Sequence, residues 1–155
     1  MPFDAMTADP SVFLDEIRTA RAELEAELDG LTDAEMEETG MTGVWNGRMT
    51  LVHIARWDET AAHMVLRDRH GILPDANEFD DYEAWNDYWA AVDADISLGD
   101  AKARYQSAHE AIVRTLRHLT PEEWTEVVRG WVREASVNHY RHHAETTRRW
   151  RSGRG

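Results

Sequence analysis

A chain of 155 residues has the length of one typical domain, enough to bury a hydrophobic core. Its hydrophobic fraction of 42% and its seven tryptophans indicate a packed globule and argue against a disordered acidic chain. The formal net charge of −13 argues against general binding to nucleic acid, because an acidic protein repels phosphate backbones.

The sequence also argues against cysteine-based sites, a membrane span and a secretory signal. It contains no cysteine, so disulfides and thiolate zinc sites are excluded, and histidine and carboxylate are the strong metal ligands that remain. No apolar run reaches the length of a membrane span. The opening segment "MPFDAMTADP" lacks the basic and apolar regions of a secretory signal. We therefore expect a cytoplasmic protein that does not enter a membrane, with one domain over residues 1–155.

The first predicted helix begins with Asp9 as its N-cap and Pro10 at its first position. Its apolar residues recur at helical spacing as far as Gly30, a residue typical of helix ends. Thr32 and Glu35 then have the spacing of a capping box, which predicts a short turn of helix. A glycine-rich loop, "TGMTGVWNG", follows this turn.

The second predicted helix is long and buried on two sides. It begins after Asn46 and runs to Gly71, with apolar residues around most of its circumference. A long connection over residues 72–96 leads to the third helix, and "YEAWNDYWAAV" within it predicts a short extra helix. Four aromatic residues of this connection are candidates for a substrate entrance or for a cap on the core: Tyr82, Trp85, Tyr88 and Trp89.

The rest of the chain predicts two more long helices. The third runs from about Leu98 to Leu119. The last helix begins at about Trp131, or after a break near Ser136, and ends near Trp150. Four long amphipathic helices predict an all-α four-helix bundle. Its long crossover, which contains the short extra helix, lies between the second and third helices.

The chain ends in an arginine-rich segment, "RRWRSGRG". Residues 148–155 are predicted to form a frayed basic tail, because chain ends that are rich in charge and glycine seldom pack. The alternative is a contact between these arginines and a phosphate group or an acidic partner.

The segment "SVNHYRHHAETTRRW", residues 136–150, holds three histidines. On a helix that turns about 100° per residue, His139 and His143 share the inward face, and His142 stands about 60° to one side. Two imidazoles at i and i+4 can reach one metal ion, although the same spacing also occurs in purely structural pairs. His53, on the inner face of the second helix, is a candidate for a third imidazole.

Buried imidazoles need partners for their ring nitrogens. Three neutral imidazoles around Zn²⁺ or Ni²⁺ would satisfy them and leave a position for water or substrate. The alternative is hydrogen bonding alone, for example from His53 to Asp58, to Glu59 or to a backbone carbonyl. The other histidines are expected at helix flanks or helix ends: His63 and His109 on solvent-exposed flanks, His70 and His118 in last turns.

Two segments resemble the DinB-like (damage-inducible protein) superfamily. The segment "GMTGVWNGRMTLVHIARWDE" is similar to the helix-2 signature of that superfamily, and "NHYRHHAETTRRW" is similar to its closing H-x-x-x-H helix. The resemblance covers the whole chain in the order of its elements. It implies a four-helix bundle that holds a metal on one histidine of the second helix and two of the fourth. By position, these residues are His53, His139 and His143.

The resemblance also implies a function. It suggests a metal-dependent enzyme that activates water, or a low-molecular-weight thiol such as bacillithiol or mycothiol, against an electrophilic small molecule. Such an enzyme would be a thiol S-transferase or a hydrolase of the detoxification type. Glu59 and Glu145 are the carboxylates that could orient a ligand imidazole.

Two alternatives to an enzyme stay open at this point. One is a non-catalytic bundle that holds a metal or a small ligand. The other is a metal-free structural or dimerisation bundle, whose histidines make hydrogen bonds only. In every case a homodimer is the expected assembly, because twofold dimers are the commonest symmetric oligomers.

Overall fold

A computed structural model of the chain describes residues 9–72 and 78–154. The α-helices follow one another in this order: α1 (Pro10–Leu28), α2 (Asp33–Met36), α3 (Gly47–Arg69), α4 (Tyr82–Val92), α5 (Leu98–Arg117), α6 (Glu126–Val132) and α7 (His139–Ser152). A 3₁₀ turn (Pro121–Glu123) precedes α6, and a π-helical segment (Arg133–Asn138) joins α6 to α7. Within the described residues there is no β-strand, and the predicted all-α class is confirmed.

The predicted helix starts are confirmed by their capping hydrogen bonds. The Asp9 side chain accepts a hydrogen bond from the backbone N–H of Ser11 at the start of α1. A reciprocal capping box encloses α2. The Asn46 side chain accepts from the backbone N–H of Met49 and so begins α3. These caps satisfy N–H groups that a helix leaves without intrahelical partners, so short-range sequence signals locate the helix starts well.

The long helices pack as two layers around one core. Helix α3 packs along α5 and against both α6 and the π-helical segment, whereas α1 packs along α7. The largest fully buried side chains include members from each long helix: Phe13, Ile17, Leu24, Ile54, Met64, Val65, Ile112, Leu116 and Tyr140. This arrangement places α3 beside the last helix, which is the packing that a site shared by those two helices requires.

The crossover between α3 and α5 contains α4, as the sequence predicts, although its residues 73–77 lie outside the described part. Helix α4 is attached to α3 by the Trp89 ring, which packs edge-on against Trp57 with centroids 5.1 Å apart. At the end of α4, the Asp93 carboxylate accepts two hydrogen bonds from Arg56, at 2.7 and 2.8 Å. The crossover therefore lies against the middle of α3.

The last helix begins earlier than the sequence predicts. It starts at Glu126, with Thr125 as its N-cap, and continues through α6, the π-helical segment and α7 without a break. Gly130 does not end the helix, because a glycine in a helix interior costs only about 1 kcal/mol relative to alanine. The predicted break near Ser136 is instead one widened turn, in which Ser136 is fully buried.

The predicted frayed tail is also corrected. Helix α7 continues to Ser152. The Arg151 guanidinium donates to the backbone carbonyl of Glu27, and Arg154 forms an ion pair with Glu38. These contacts hold the arginine-rich end against the acidic end of α1 and the loop after α2. The last residue of the tail lies outside the described residues.

No helix in the described part of the chain is both long enough and apolar enough to cross a membrane.

Candidate metal centre

Three histidines meet between α3 and the last helix. The Nε2 atom of His139 lies 2.9 Å from Nε2 of His53 and 2.9 Å from Nε2 of His143. One potential ligand atom from each ring lies within 4.8 Å of the others. His143 is fully buried, while His53 and His139 are partly buried. The structure thus brings together the three residues that the sequence selects as candidate metal ligands.

Hydrogen bonding among the rings cannot account for this arrangement. The Nε2 of a neutral imidazole carries either a proton or a lone pair, so it makes one linear hydrogen bond. Nε2 of His139 has two ring nitrogens at 2.9 Å, and only one of these contacts can be a normal hydrogen bond. A cation shared by the three Nε2 lone pairs would satisfy all three at once.

The electrostatic environment keeps the three rings neutral. Burial lowers the pKa of His53 to about 4, and the nearby His142 adds to this effect. Burial, reinforced by the neighbouring rings, lowers the pKa of His139 and of His143 well below the ordinary value. At neutral pH the rings therefore hold the lone pairs that a metal ion needs, because a histidine must be deprotonated to bind one.

A threonine that the sequence reading did not select orients one of the rings. Oγ1 of Thr42 lies 3.4 Å from Nδ1 of His143, and 2.9 Å from Oγ1 of Thr50. The Thr50 hydroxyl donates to the backbone carbonyl of Asn46, also at 2.9 Å. When Nδ1 of His143 donates to Oγ1 of Thr42, the lone pair of the ring lies on Nε2. A donor bond of this kind fixes the tautomer of a metal-binding histidine.

Thr42 reaches His143 because of a tight turn before α3. The backbone N–H of Trp45 donates to the carbonyl of Thr42 at 2.9 Å, and Gly43 between them has a φ of +58°. Glycine adopts this left-handed backbone conformation without steric cost. Gly43 therefore allows the "TGMTGVWNG" loop to turn back toward His143.

The last helix reaches the cluster through its π-helical segment, which ends immediately before His139. The segment is fixed to α3 by the buried carboxylate of Asp58, which accepts from Ser136 Oγ at 2.7 Å and from Tyr140 OH at 2.6 Å. A widened turn of this type adds one residue to the helix and changes the direction of the side chains that follow. The π-helical segment thereby sets the orientation of His139.

A cavity of about 490 Å³ opens directly above the three histidines. Its walls are largely aromatic, with rings from the loop before α3, from α3, from the crossover and from α6: Trp45, Trp57, Phe79, Tyr82 and Trp131. The polar side chains of the wall outside the three histidines include Asn86, Glu134 and His142. The cluster is therefore accessible from solvent on one side and enclosed by protein on the other, which is the geometry of a site that admits a small molecule.

The two carboxylates predicted as supports for a ligand imidazole lie elsewhere. Glu59 forms two hydrogen bonds of 2.8 Å with the guanidinium of Arg104 on α5. Glu145 forms ion pairs with Arg148 and Arg149 on its own helix. Neither carboxylate has a hydrogen bond with a histidine of the cluster in the described structure. An arginine within reach captures a carboxylate more strongly than a neutral ring can, because both partners are charged.

The remaining histidines and the aromatic residues of the crossover lie in different environments. His142 is exposed and lies on the cavity wall, and Tyr82 also lines the cavity. The structure places His63 in solvent and makes His70 and His118 the C-caps of α3 and α5, as predicted. His109 is not at the solvent edge as predicted, because its Nδ1 lies 2.9 Å from the hydroxyl of Tyr140, toward the core. Trp89 is a buried core residue, and Tyr88 is exposed.

Comparisons with known proteins agree with this fold. A family model described as the DinB superfamily matches residues 16–147. The crystal structure of an uncharacterised protein from Escherichia coli UTI89 has the same fold, with a TM-score of 0.79. That protein is 13% identical in sequence, and the superposition covers 94% of each chain. No curated protein shows significant similarity to this sequence.

Proposed function

The chain belongs to the DinB superfamily, and from that premise we propose a metal-dependent enzyme that acts on an electrophilic small molecule. Its nucleophile is water or a low-molecular-weight thiol, so that the reaction is a hydrolysis or a thiol transfer of the detoxification type. The observation that carries this proposal is the convergence of three neutral Nε2 atoms at the floor of an aromatic cavity.

His53, His139 and His143 would hold the ion through their Nε2 atoms. The donor set supports a divalent transition metal, with zinc or nickel as the proposed ion, because imidazole nitrogen suits both. When bound, such an ion supplies Lewis acidity, which makes a water or a thiol nucleophilic at neutral pH. The crowded Nε2 atoms argue against a metal-free bundle held by hydrogen bonds alone.

The residues around the histidines have separate tasks in this proposal. Thr42 holds His143 in the tautomer that keeps its Nε2 lone pair free. The walls formed by Trp57 and Trp131 pack against the apolar part of a substrate and exclude water from it. A nucleophile at the cavity floor and an electrophile against these walls would then lie in contact, which removes much of the entropic cost of their encounter.

The open cavity favours an enzyme over a purely structural metal site. Structural metal sites are closed by protein ligands, whereas catalytic sites keep a position for water or substrate. Three protein ligands beneath a solvent-accessible cavity correspond to the second kind. The cytoplasmic location, the homodimer and the single domain over residues 1–155 stay predictions.

An activity assay with matched variants tests the proposal. The purified chain is loaded with Zn²⁺ or with Ni²⁺, freed of excess ion, and incubated with epoxides, alkyl halides and activated esters, with and without a small thiol. We expect loss of electrophile that requires the metal and that falls to background in His53→Ala. The control His63→Ala removes an exposed histidine of the same helix and should keep full activity.

Each negative outcome identifies an alternative. A chain that holds one ion yet converts no electrophile would be a metal-binding module and not an enzyme. A chain that holds no stoichiometric ion after loading would be a structural bundle, and the proposal would then be wrong at its first step.

A further inference from the structure

We propose that the cavity selects thiols whose far end is uncharged or cationic, and that Glu134 is the residue that discriminates against anionic ones. This inference rests on the proposed function, in which a thiol binds at the cavity floor. It goes further by naming the chemical class of the thiol. It is carried by the distribution of charge and of apolar surface over the cavity walls.

The middle of the cavity offers apolar surface and few polar groups. The Phe79 ring packs edge-on against Trp131 and against Trp57, with centroids 5.3 and 5.9 Å apart, so that the three rings form one continuous wall. The indole N–H of Trp57 already donates to Oδ1 of Asn86 at 2.8 Å. This wall therefore favours a planar or apolar group in the middle of the ligand.

The charged groups of the wall are of one sign. Among the described residues that line the cavity there is no lysine or arginine, and Glu134 is the one carboxylate. The guanidinium of the neighbouring Arg133 lies over the ring of Phe13 on α1, 5.3 Å from its centroid. Arg56 precedes Trp57 on α3, but it does not line the cavity, and its guanidinium is paired with Asp93.

Glu134 is held in place while its carboxylate keeps free capacity to accept hydrogen bonds. Its Oε1 accepts one hydrogen bond from Nδ2 of Asn138, one helical turn further on, at 3.1 Å. A carboxylate can accept about four hydrogen bonds, so acceptor positions remain for a ligand. The residue comes from the π-helical segment, the same element that orients His139.

These observations define a ligand with three unlike parts. A thiol group reaches the three histidines, an apolar or planar body packs against the tryptophan wall, and a hydroxyl or ammonium group faces Glu134. A carboxylate or phosphate in that last position would meet a like charge, and no lysine or arginine on the described wall would neutralise it. The net charge of −13 adds to this repulsion.

Three benzenethiols that differ only in their para substituent test the inference. The probes carry an aminomethyl, a hydroxymethyl or a carboxylate group, and their binding to the zinc-loaded protein is measured by titration calorimetry. The titrations are run at pH 8, because an imidazole of ordinary pKa is neutral there and adds no positive charge to the cavity wall. We expect the aminomethyl probe to bind at least about fivefold more tightly than the carboxylate probe, since a partly exposed charge contributes roughly 1 kcal/mol. The hydroxymethyl probe should lie between them.

Variants at Glu134 assign the effect to one residue. Glu134→Gln keeps the shape of the side chain and should bring the three affinities together, and Glu134→Lys should reverse their order. The matched control Glu110→Gln removes an exposed carboxylate on α5, outside the cavity, and should leave the order unchanged. Equal binding of all three probes, or an unchanged order in Glu134→Gln, would overturn the inference and leave the proposed function standing. If the metal-loaded protein binds none of the probes, the thiol reaction itself is wrong.

Discussion

Helix α3 and the last helix meet around two buried polar clusters that differ in how their groups are satisfied. In the Asp58 cluster, both carboxylate oxygens accept a short hydrogen bond, from Ser136 and from Tyr140, and the Tyr140 hydroxyl is shared with His109. In the histidine cluster, the three Nε2 atoms face one another, and they cannot all be satisfied by hydrogen bonds among themselves. Polar groups that satisfy one another join helices, whereas lone pairs directed together at a cavity floor are available to a ligand.

The surroundings of the two clusters agree with this division. Asp58 is fully buried, and the partly compensating guanidinium of Arg21 lies 3.9 Å away in the core. The histidine cluster is covered by protein on one side and opens to the cavity on the other. A buried carboxylate with its donors contributes to holding the bundle together, while the histidines beside the cavity form the proposed metal site. Variants of the two clusters should therefore fail in different assays.

The largest expected effect is on stability and follows from Asp58→Asn. The amide accepts from only one of the two hydroxyl donors, while the guanidinium of Arg21 keeps its ion pair with Glu25. Each hydrogen bond to the charged carboxylate contributes about 1.5–3 kcal/mol, so the substitution should cost about 3–5 kcal/mol of unfolding free energy. Urea denaturation measures that loss. Asp58→Asn, where it folds, should still bind one metal ion per chain. Loss of metal binding without loss of stability would reverse the roles assigned to the two clusters.

The pH dependence of the metal-free protein should separate the clusters by sign. Burial lowers the pKa of His53 to about 4, while the unfolded chain is protonated below about 6.5. The neutral ring therefore stabilises the fold fully above pH 6.5, and this contribution is lost as the pH falls toward 4. The loss is about 1.4 kcal/mol per pH unit for each such imidazole.

Asp58 acts in the opposite direction. Burial raises its pKa to about 6, so the folded chain holds a proton that the unfolded chain has released, and stability falls as the pH rises from about 4 to 6. In chelator-treated protein, we expect His53→Gln to flatten the dependence of unfolding free energy on pH between 6.5 and 4.5, and Asp58→Asn to make it steeper. If both variants change the slope in the same direction, the comparison of the clusters is wrong.

A smaller effect, confined to the histidine cluster, is expected for Thr42→Val. Valine has the shape of threonine but cannot accept the Nδ1 proton of His143, and loss of such a support typically lowers metal affinity by about 10- to 100-fold. Competition with a chelator of known affinity measures the change. Thr42→Ser keeps the hydroxyl and should retain the affinity, as should Glu59→Gln, whose carboxylate binds Arg104 instead. Equal losses in the serine and valine variants would exclude an orienting role for the hydroxyl.

Within the Asp58 cluster, Tyr140→Phe should have a smaller effect than Asp58→Asn. The variant keeps the buried ring and removes one hydrogen bond to the carboxylate, which contributes about 1.5–3 kcal/mol when the acceptor is charged. Thermal unfolding should show this loss, with metal stoichiometry unchanged. A stability equal to that of the original chain would mean that the carboxylate finds another donor.

The residues that could be predicted from sequence are those fixed by helical period. The spacing of His139 and His143 on one helix, and the position of His53 among apolar residues of another, required only the regular geometry of a helix and the packing of two helices. The capping signals at Asp9 and Asn46 are equally local, since the hydrogen bonds reach only two or three residues along the chain.

The residues that could not be predicted depend on contacts between distant segments. Thr42 lies 101 positions from His143 in sequence, and only the turn at Gly43 brings it to the ring. Glu59 faces Arg104, 45 positions away, and no local pattern shows that capture. The π-helical segment is also invisible to a regular helical wheel, because it changes the period on which the wheel depends.

Anomalous diffraction from crystals of the zinc-loaded protein, collected at the zinc edge, would locate the ion that the three histidines are proposed to hold. We expect one strong peak per chain, at about 2.0–2.1 Å from Nε2 of His53, His139 and His143, and its loss in His139→Ala. A peak that contacts other residues, or three empty Nε2 atoms in crystals whose protein carries stoichiometric zinc, would contradict it.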